Sequence, residues 1–165
     1  MITTYNAASI DGFIAHKDGS EEFIPDEVFD DFLDILRKHD ALVMGRKTYE
    51  TIQNYPKAMV ETFEAVNIKR FVVSQNASFQ VKNGYTVITE ITEIPKLGNN
   101  VLISSGPTLN SAALRAGIID HVMINVIPGN INEGIPVFDE MPKFALVSTE
   151  EKPAGRKLCT YDILP

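Results

Sequence analysis

Cysteine is nearly absent from this chain. Cys159 is the single one among 165 residues, so no internal disulfide can form. That suits a reducing compartment, and a cytoplasmic protein is expected. Basic residues are in deficit as well: 15 Lys and Arg stand against 22 Asp and Glu, a formal net charge of −7. Nucleic acid is disfavoured as a partner, because phosphate contacts need clustered cations. An anionic membrane surface is disfavoured on the same ground. No apolar run approaches the ~20 residues of a membrane span. Met1–Asn6 has neither the basic nor the apolar segment of a secretory leader. Histidine is scarce too. His16, His39 and His121 are isolated, without partners at zinc-ligand spacing, so no metal is expected. Repeats, low-complexity tracts and long Pro/Gly linkers are all missing, which predicts one domain over residues 1–165.

What is present is an ordinary globular composition, 44% hydrophobic and 22% charged. A chain of this length can bury about 70% of its unfolded surface. Short apolar runs alternate with helical periods. Strands are expected at 2–9, 41–44, 70–74, 85–89, 100–104 and 119–127, with two more at 143–149 and 157–163 joined by a turn at Pro153-Ala154-Gly155. Residues 10–24 are loop-like. A helix is expected from Pro25 to His39, where Val28, Phe32, Ile35 and Leu36 recur at the helical period. Others are expected after Gly45, over 57–66, and from Pro107 to Ala116, stopped by Gly117. Alternation first and strands last predict an α/β three-layer fold, its sheet mostly parallel with an antiparallel C-terminal part.

Ligands in such sheets sit beyond the carboxyl ends of the strands, and three strand ends carry the chemistry. Gly45-Arg46-Lys47-Thr48 follows a buried strand and opens a helix. Two cations there oppose the helix dipole but suit a bound phosphate, with Arg46 bidentate and Thr48 adding a hydroxyl. A solvated basic pair is the other reading. Ser74-Gln75-Asn76 can meet a sugar or a base, or simply turn the chain. Ser105-Gly106-Pro107-Thr108-Leu109 is a second strand-to-helix turn with anion-binding geometry, although such a turn needs small residues in any case. On the first helix, Asp31 borders the apolar face while Asp26 and Asp30 point away. It is the candidate catalytic carboxylate, with Glu27 the runner-up one turn earlier and a merely solvated acidic face the alternative.

Together with Ser9-Ile10-Asp11-Gly12-Phe13-Ile14-Ala15, and with Gly117-Ile118-Ile119-Asp120 through Ile127-Pro128, the Gly45–Glu50 motif resembles the dihydrofolate-reductase-like proteins. Within them it is most similar to the riboflavin-biosynthesis reductase (RibD C-terminal) group. The resemblance runs from Met1 to about residue 163. It implies a three-layer α/β/α fold around an eight-stranded sheet, NADPH as cofactor, and hydride transfer to a small pterin- or pyrimidine-like heterocycle above the first strand. By position it assigns Arg46, Lys47 and Thr48, after Gly45, to the cofactor phosphates. Ser74 and Gln75 match the adenosine side, and Ser105, Gly106, Pro107, Thr108 and Leu109 the pyrophosphate turn. Ala7 and Ile14 match the backbone that holds the carboxamide. It also implies a homodimer built on the C-terminal strands.

The chain departs from the family in three places. Ser105-Gly106 stands where Gly-Gly is usual, and His121 follows Asp120 where Glu is common. The Asp-Asp-Pro of riboflavin-pathway reductases is replaced by Thr51-Ile52-Gln53-Asn54-Tyr55-Pro56, which argues against the ribosylaminopyrimidine as substrate. The arginine that grips folate has no counterpart on the following loop. A non-catalytic NADP(H)-binding or homodimeric interaction module with the same fold is the alternative reading.

Overall fold

The computed structural model describes residues 1–165. Its elements, in chain order, are β1 (Ile2–Ser9), β2 (Phe13–Ala15), α1 (Glu27–Leu36), β3 (Ala41–Gly45), α2 (Arg46–Gln53), α3 (Lys57–Glu64), β4 (Lys69–Val73), β5 (Tyr85–Ile88), β6 (Val101–Ile103), α4 (Pro107–Arg115), β7 (His121–Ile127), β8 (Ile135–Pro136), β9 (Phe144–Glu151) and β10 (Lys157–Ile163). Eight strands form one sheet in the order β5-β4-β3-β6-β1-β7-β10-β9. The first six in that order run parallel, and β10 pairs antiparallel with both β7 and β9. This is the mixed α/β fold with an antiparallel C-terminal part that the alternation predicts.

Both faces of the central strands are buried, which is why β3 and β6 read as unbroken apolar runs. Ala41 and Val43 belong to one core cluster, with Val101, Ile103, Leu109 and Ala113. Leu42 and Met44 belong to the other, with Leu33, Leu36, Tyr49 and Phe63. So α4 covers one face of the sheet, while α1, α2 and α3 cover the other.

Two elements differ from expectation. The first helix spans Glu27–Leu36 rather than Pro25–His39. Beyond it the backbone tightens into i→i−3 bonds at Lys38 and His39, and the Asp40 N–H then donates to Asn100 O at 2.8 Å, pulling the chain into the sheet. The loop after β1 is not wholly irregular: β2 pairs antiparallel with β8, forming a small second sheet.

Candidate functional site

From β3 the chain leaves the sheet by α2 towards one face; from the adjacent β6 it leaves by α4 towards the other. Two neighbouring strands whose connections diverge open a crevice at their carboxyl ends. Both helices begin at glycines in extended conformation, Gly45 (φ −79°, ψ 166°) and Gly106 (φ −82°, ψ −177°), with no side chain capping either. The free N–H groups of both helix starts therefore remain available to an anion. No acidic residue stands in the first turn of either helix.

Ser105 joins the two sides. Its hydroxyl accepts the Gly45 N–H at 3.0 Å and lies 3.3 Å from Thr48 Oγ1. Its carbonyl accepts from Asn6 Nδ2 at 2.8 Å and Asn110 Nδ2 at 3.1 Å. Asn110 Nδ2 also reaches Asn6 Oδ1 and Val137 O, so β1, β6, α4 and the segment after β8 meet at one buried amide. The side chain at 105 thus points into the protein and pins α2 to α4. A Cβ on Gly106 would meet nothing within 4 Å, whereas one on Gly45 would stand 3.0 Å from Ser105 Oγ. At 45 a side chain would crowd the Ser105 hydroxyl that accepts the Gly45 N–H. At 106 the glycine leaves space beside the helix start, which a bound phosphate can fill.

The other expected cofactor residues lie as follows. Arg46 and Lys47 are exposed. Arg46 Nε donates to Glu50 Oε1 at 3.1 Å, and its guanidinium lies 5.1 Å from the centroid of the Phe79 ring. Ser74 is buried, its hydroxyl donating to Asn76 O and accepting from Asn76 N, which makes it a turn-former. Gln75 beside it is exposed. Pro107 is half-buried, Thr108 is exposed, and Leu109 contributes its side chain to the core. Ile14 lies on β2 and packs on the same core.

Ala7 is the one residue of β1 that is not buried. Its neighbour in register on β7 is Asn125, fully buried. Above them on α1 stands Asp31, its side chain 14% exposed. Asp31 Oδ2 accepts from Arg156 Nη1 and, at 2.9 Å, from Asn125 Nδ2; Lys152 Nζ lies 3.9 Å from Oδ1. Tyr5, next on this face of β1, stacks on Phe32 at 5.5 Å between centroids and has its hydroxyl 3.5 Å from Asn125 Nδ2. Burial pushes its ionisation up to about 12. Asp26 and Asp30 are exposed, as the helical wheel requires, and so is Glu27, the runner-up carboxylate.

The 10–24 loop is tied down across the top. Asp11 accepts from Ser9 Oγ, Asn132 N and Ile131 N, and the Ser9 bond lowers its ionisation first of all. Tyr55, at the end of α2, donates to Glu21 Oε2 at 3.0 Å. Desolvation raises both of these groups. Sequence reasoning had not singled out Asn6, Asn110, Asn125, Lys152 or Arg156 for the site. A lone amide inside the apolar run Val122–Ile127 was a readable signal at Asn125. Nothing local marks Arg156, which follows a hairpin turn.

These features fit comparison with known proteins. The family model for the RibD C-terminal domain matches residues 1–155. The chain is 27% identical over 146 residues to the uncharacterized protein YwjB of Bacillus subtilis (strain 168), covering 83% of this chain and 82% of that one. Among solved structures, it resembles a protein of Shewanella sp. PV-4 provisionally assigned to riboflavin biosynthesis, with a TM-score of 0.79, 22% identity and 99% of each chain covered. It also resembles the dihydrofolate reductase of Enterococcus faecalis in complex with NADP(H), with a TM-score of 0.75, 19% identity, and 99% of this chain and 96% of that chain covered. With an uninterrupted match over nearly all of its length, the chain belongs to the RibD C-terminal domain family.

Proposed function

We propose that the protein is an NADPH-dependent reductase, one domain acting on a small heterocycle of the pterin or pyrimidine kind. The observation that carries this reading is the crevice between α2 and α4: two uncapped helix starts, two exposed cations and an open position at Gly106. The fold shared with an NADP(H)-bound dihydrofolate reductase supports it.

In this reading Arg46, Lys47 and Thr48 hold the phosphates that distinguish NADPH. The N–H groups of Gly106, Thr108 and Leu109 at the start of α4 hold the pyrophosphate, Pro107 having none to offer, with Ser105 keeping the two helix starts together. Ser74 and Gln75 flank the adenosine, and the backbone of Ala7 and Ile14 holds the carboxamide. NADPH supplies a hydride when bound. A C=N bond of the substrate takes the hydride at carbon and a proton at nitrogen. Asp31 Oδ1 is the atom we assign to that nitrogen, above Ala7, relaying to it a proton taken up from solvent. The 10–24 loop, held by Asp11 and by Glu21 on Tyr55, excludes water from the reacting atoms.

The test is NADPH oxidation at 340 nm with 7,8-dihydropterins and with 5-amino-6-ribosylaminouracil, alongside NADPH binding by fluorescence. Arg46→Ala should weaken binding about tenfold or more, the scale of one hydrogen bond to a charged group. A chain that neither binds NADPH nor responds to Arg46→Ala is not this reductase, whereas binding without turnover of any such compound marks a non-catalytic NADP(H)-binding module.

We further propose a homodimer in the cytoplasm, paired through β9. This edge strand exposes Leu146 (60%) and Val147 (56%). A two-fold axis at Val147 sets Lys143 of one protomer against Glu151 of its partner, so the strand ends are complementary in charge.

A further inference from the structure

Arg156 is the largest fully buried side chain of the protein, 2% exposed. It follows the hairpin between β9 and β10, whose turn places Ala154 at φ 61° and Gly155 at φ 74°. A buried cation must be paired and hydrogen-bonded to be tolerated. This one is paired across 125 residues of sequence with Asp31. Its hydrogen bonds leave from Nη1 alone, to Asp31 Oδ2 and, at 3.4 Å, to Asn125 Oδ1. Asn125 Nδ2 reaches the same Oδ2 from a second direction at 2.9 Å.

The consequence is an asymmetric carboxylate. Oδ2 is fixed from two sides, by Asn125 on β7 and by Arg156 just before β10, the strand paired with it. Oδ1 has only Lys152 Nζ at 3.9 Å, and that ammonium is engaged by Glu150 at 2.8 Å. A carboxylate on a helix flanked by solvent would rotate freely between its two oxygens. Here one oxygen accepts two hydrogen bonds and the other accepts none from the protein. The cluster lies against the single open residue of β1, at the carboxyl ends of β1 and β7.

We propose that Arg156, with Asn125, is the positioning residue for Asp31: it consumes Oδ2 and presents Oδ1 to the substrate. The proposal rests on the reductase reading and adds the hairpin after β9 to the substrate side of the site. Arg suits this role because its rigid planar guanidinium holds Nη1 in one direction, where Lys supplies only a charge on a flexible stem. A purely structural tie between hairpin and α1 would act on stability alone.

The experiment is steady-state kinetics of the full chain with NADPH and the dihydropterin and aminouracil compounds named above, for Arg156→Met, Arg156→Lys, Asp31→Asn and the double variant Arg156→Met with Asp31→Asn. NADPH binding and cooperative unfolding are measured on each. The expected result is a fall in kcat/KM of about 100-fold for Arg156→Met, the scale of a misplaced catalytic group. Asp31→Asn should fall at least as far. The double variant should be no worse than Asp31→Asn, since both act through one group. Arg156→Lys should recover part of the loss, and NADPH affinity should be unchanged throughout. If Arg156→Met fails to fold, Asn125→Leu, which removes the second donor to Oδ2, carries the same comparison. Full kcat/KM per NADPH-binding molecule in these variants, or losses that multiply in the double variant, overturns the proposal and leaves the reductase reading standing. Absence of NADPH oxidation by the unaltered protein with every compound overturns the reductase reading, and the proposal with it.

Discussion

Tyr5 shows how a single buried hydroxyl shapes the pH response. Desolvation is the main reason its ionisation lies at about 12 instead of 10. That displacement corresponds to about 3 kcal/mol. Below pH 10 the hydroxyl is protonated in both folded and unfolded chains, and the contribution is present in full. As pH rises from 10 to 12 the unfolded chain ionises first, so stability falls. Burial raises Tyr55, Tyr85 and Tyr161 as well, adding to the same fall. Urea unfolding of Tyr5→Phe, which keeps the stack on Phe32, should show a shallower decline over this window than the parent. At the crevice, Glu50 competes for Arg46. Both side chains of that pair are about half exposed, so Glu50→Gln should change stability by no more than ~0.5 kcal/mol. NADPH titration of the same variant should show tighter binding, because the guanidinium is released to the phosphate. Motif residues such as Arg46 were legible in the sequence because a helix start tells its own story. Asp31 was legible as a helical-wheel position, but its partners were not, since Arg156 lies 125 residues away.

Elements depend on a few close approaches. Ser105→Ala removes the acceptor for the Gly45 N–H, and leaving a buried donor unpaired costs about 1–3 kcal/mol. Denaturant unfolding should show that loss. Ser105, where the resemblance leads one to expect Gly, ties the starts of α2 and α4 together. At the second sheet, a Cβ on Gly134 would lie 2.3 Å from Ala15 O, a backbone atom that cannot swing aside. Gly134→Ala should therefore break the β2–β8 pairing, read as loss of amide protection over Phe13–Ala15 and at Ile135, while β1 and β3 stay protected. These strands were not legible in the sequence. Three residues and two residues carry no period, and only their mutual approach makes them strands. Arg70 is a comparable case: its guanidinium donates to Phe63 O, Val66 O and Ile68 O, capping the end of α3 from the next strand.

At the scale of the whole molecule, the sheet ends on β9, an eight-residue edge whose second half is exposed on both faces. An uncovered edge invites pairing. Val147→Lys should shift the protein to a monomer in sedimentation velocity, and Lys143→Glu should do the same unless Glu151→Lys is added to restore the pair. A monomeric parent at micromolar concentration would exclude this interface. The alternation of apolar runs and helical periods determined the layer order, the parallel centre and the antiparallel end, because each element's own side chains dictate its period and its buried face. From composition alone, the deficit of cations argues against large polyanions as partners, and Arg46-Lys47 is the sequence's candidate for a small one. Only the tertiary structure decided what lies opposite what: Ser105 between two helix starts, β2 against β8, and Arg156 holding one oxygen of Asp31. Those pairings join residues from 60 to 125 positions apart, and no local pattern encodes a distance across the fold.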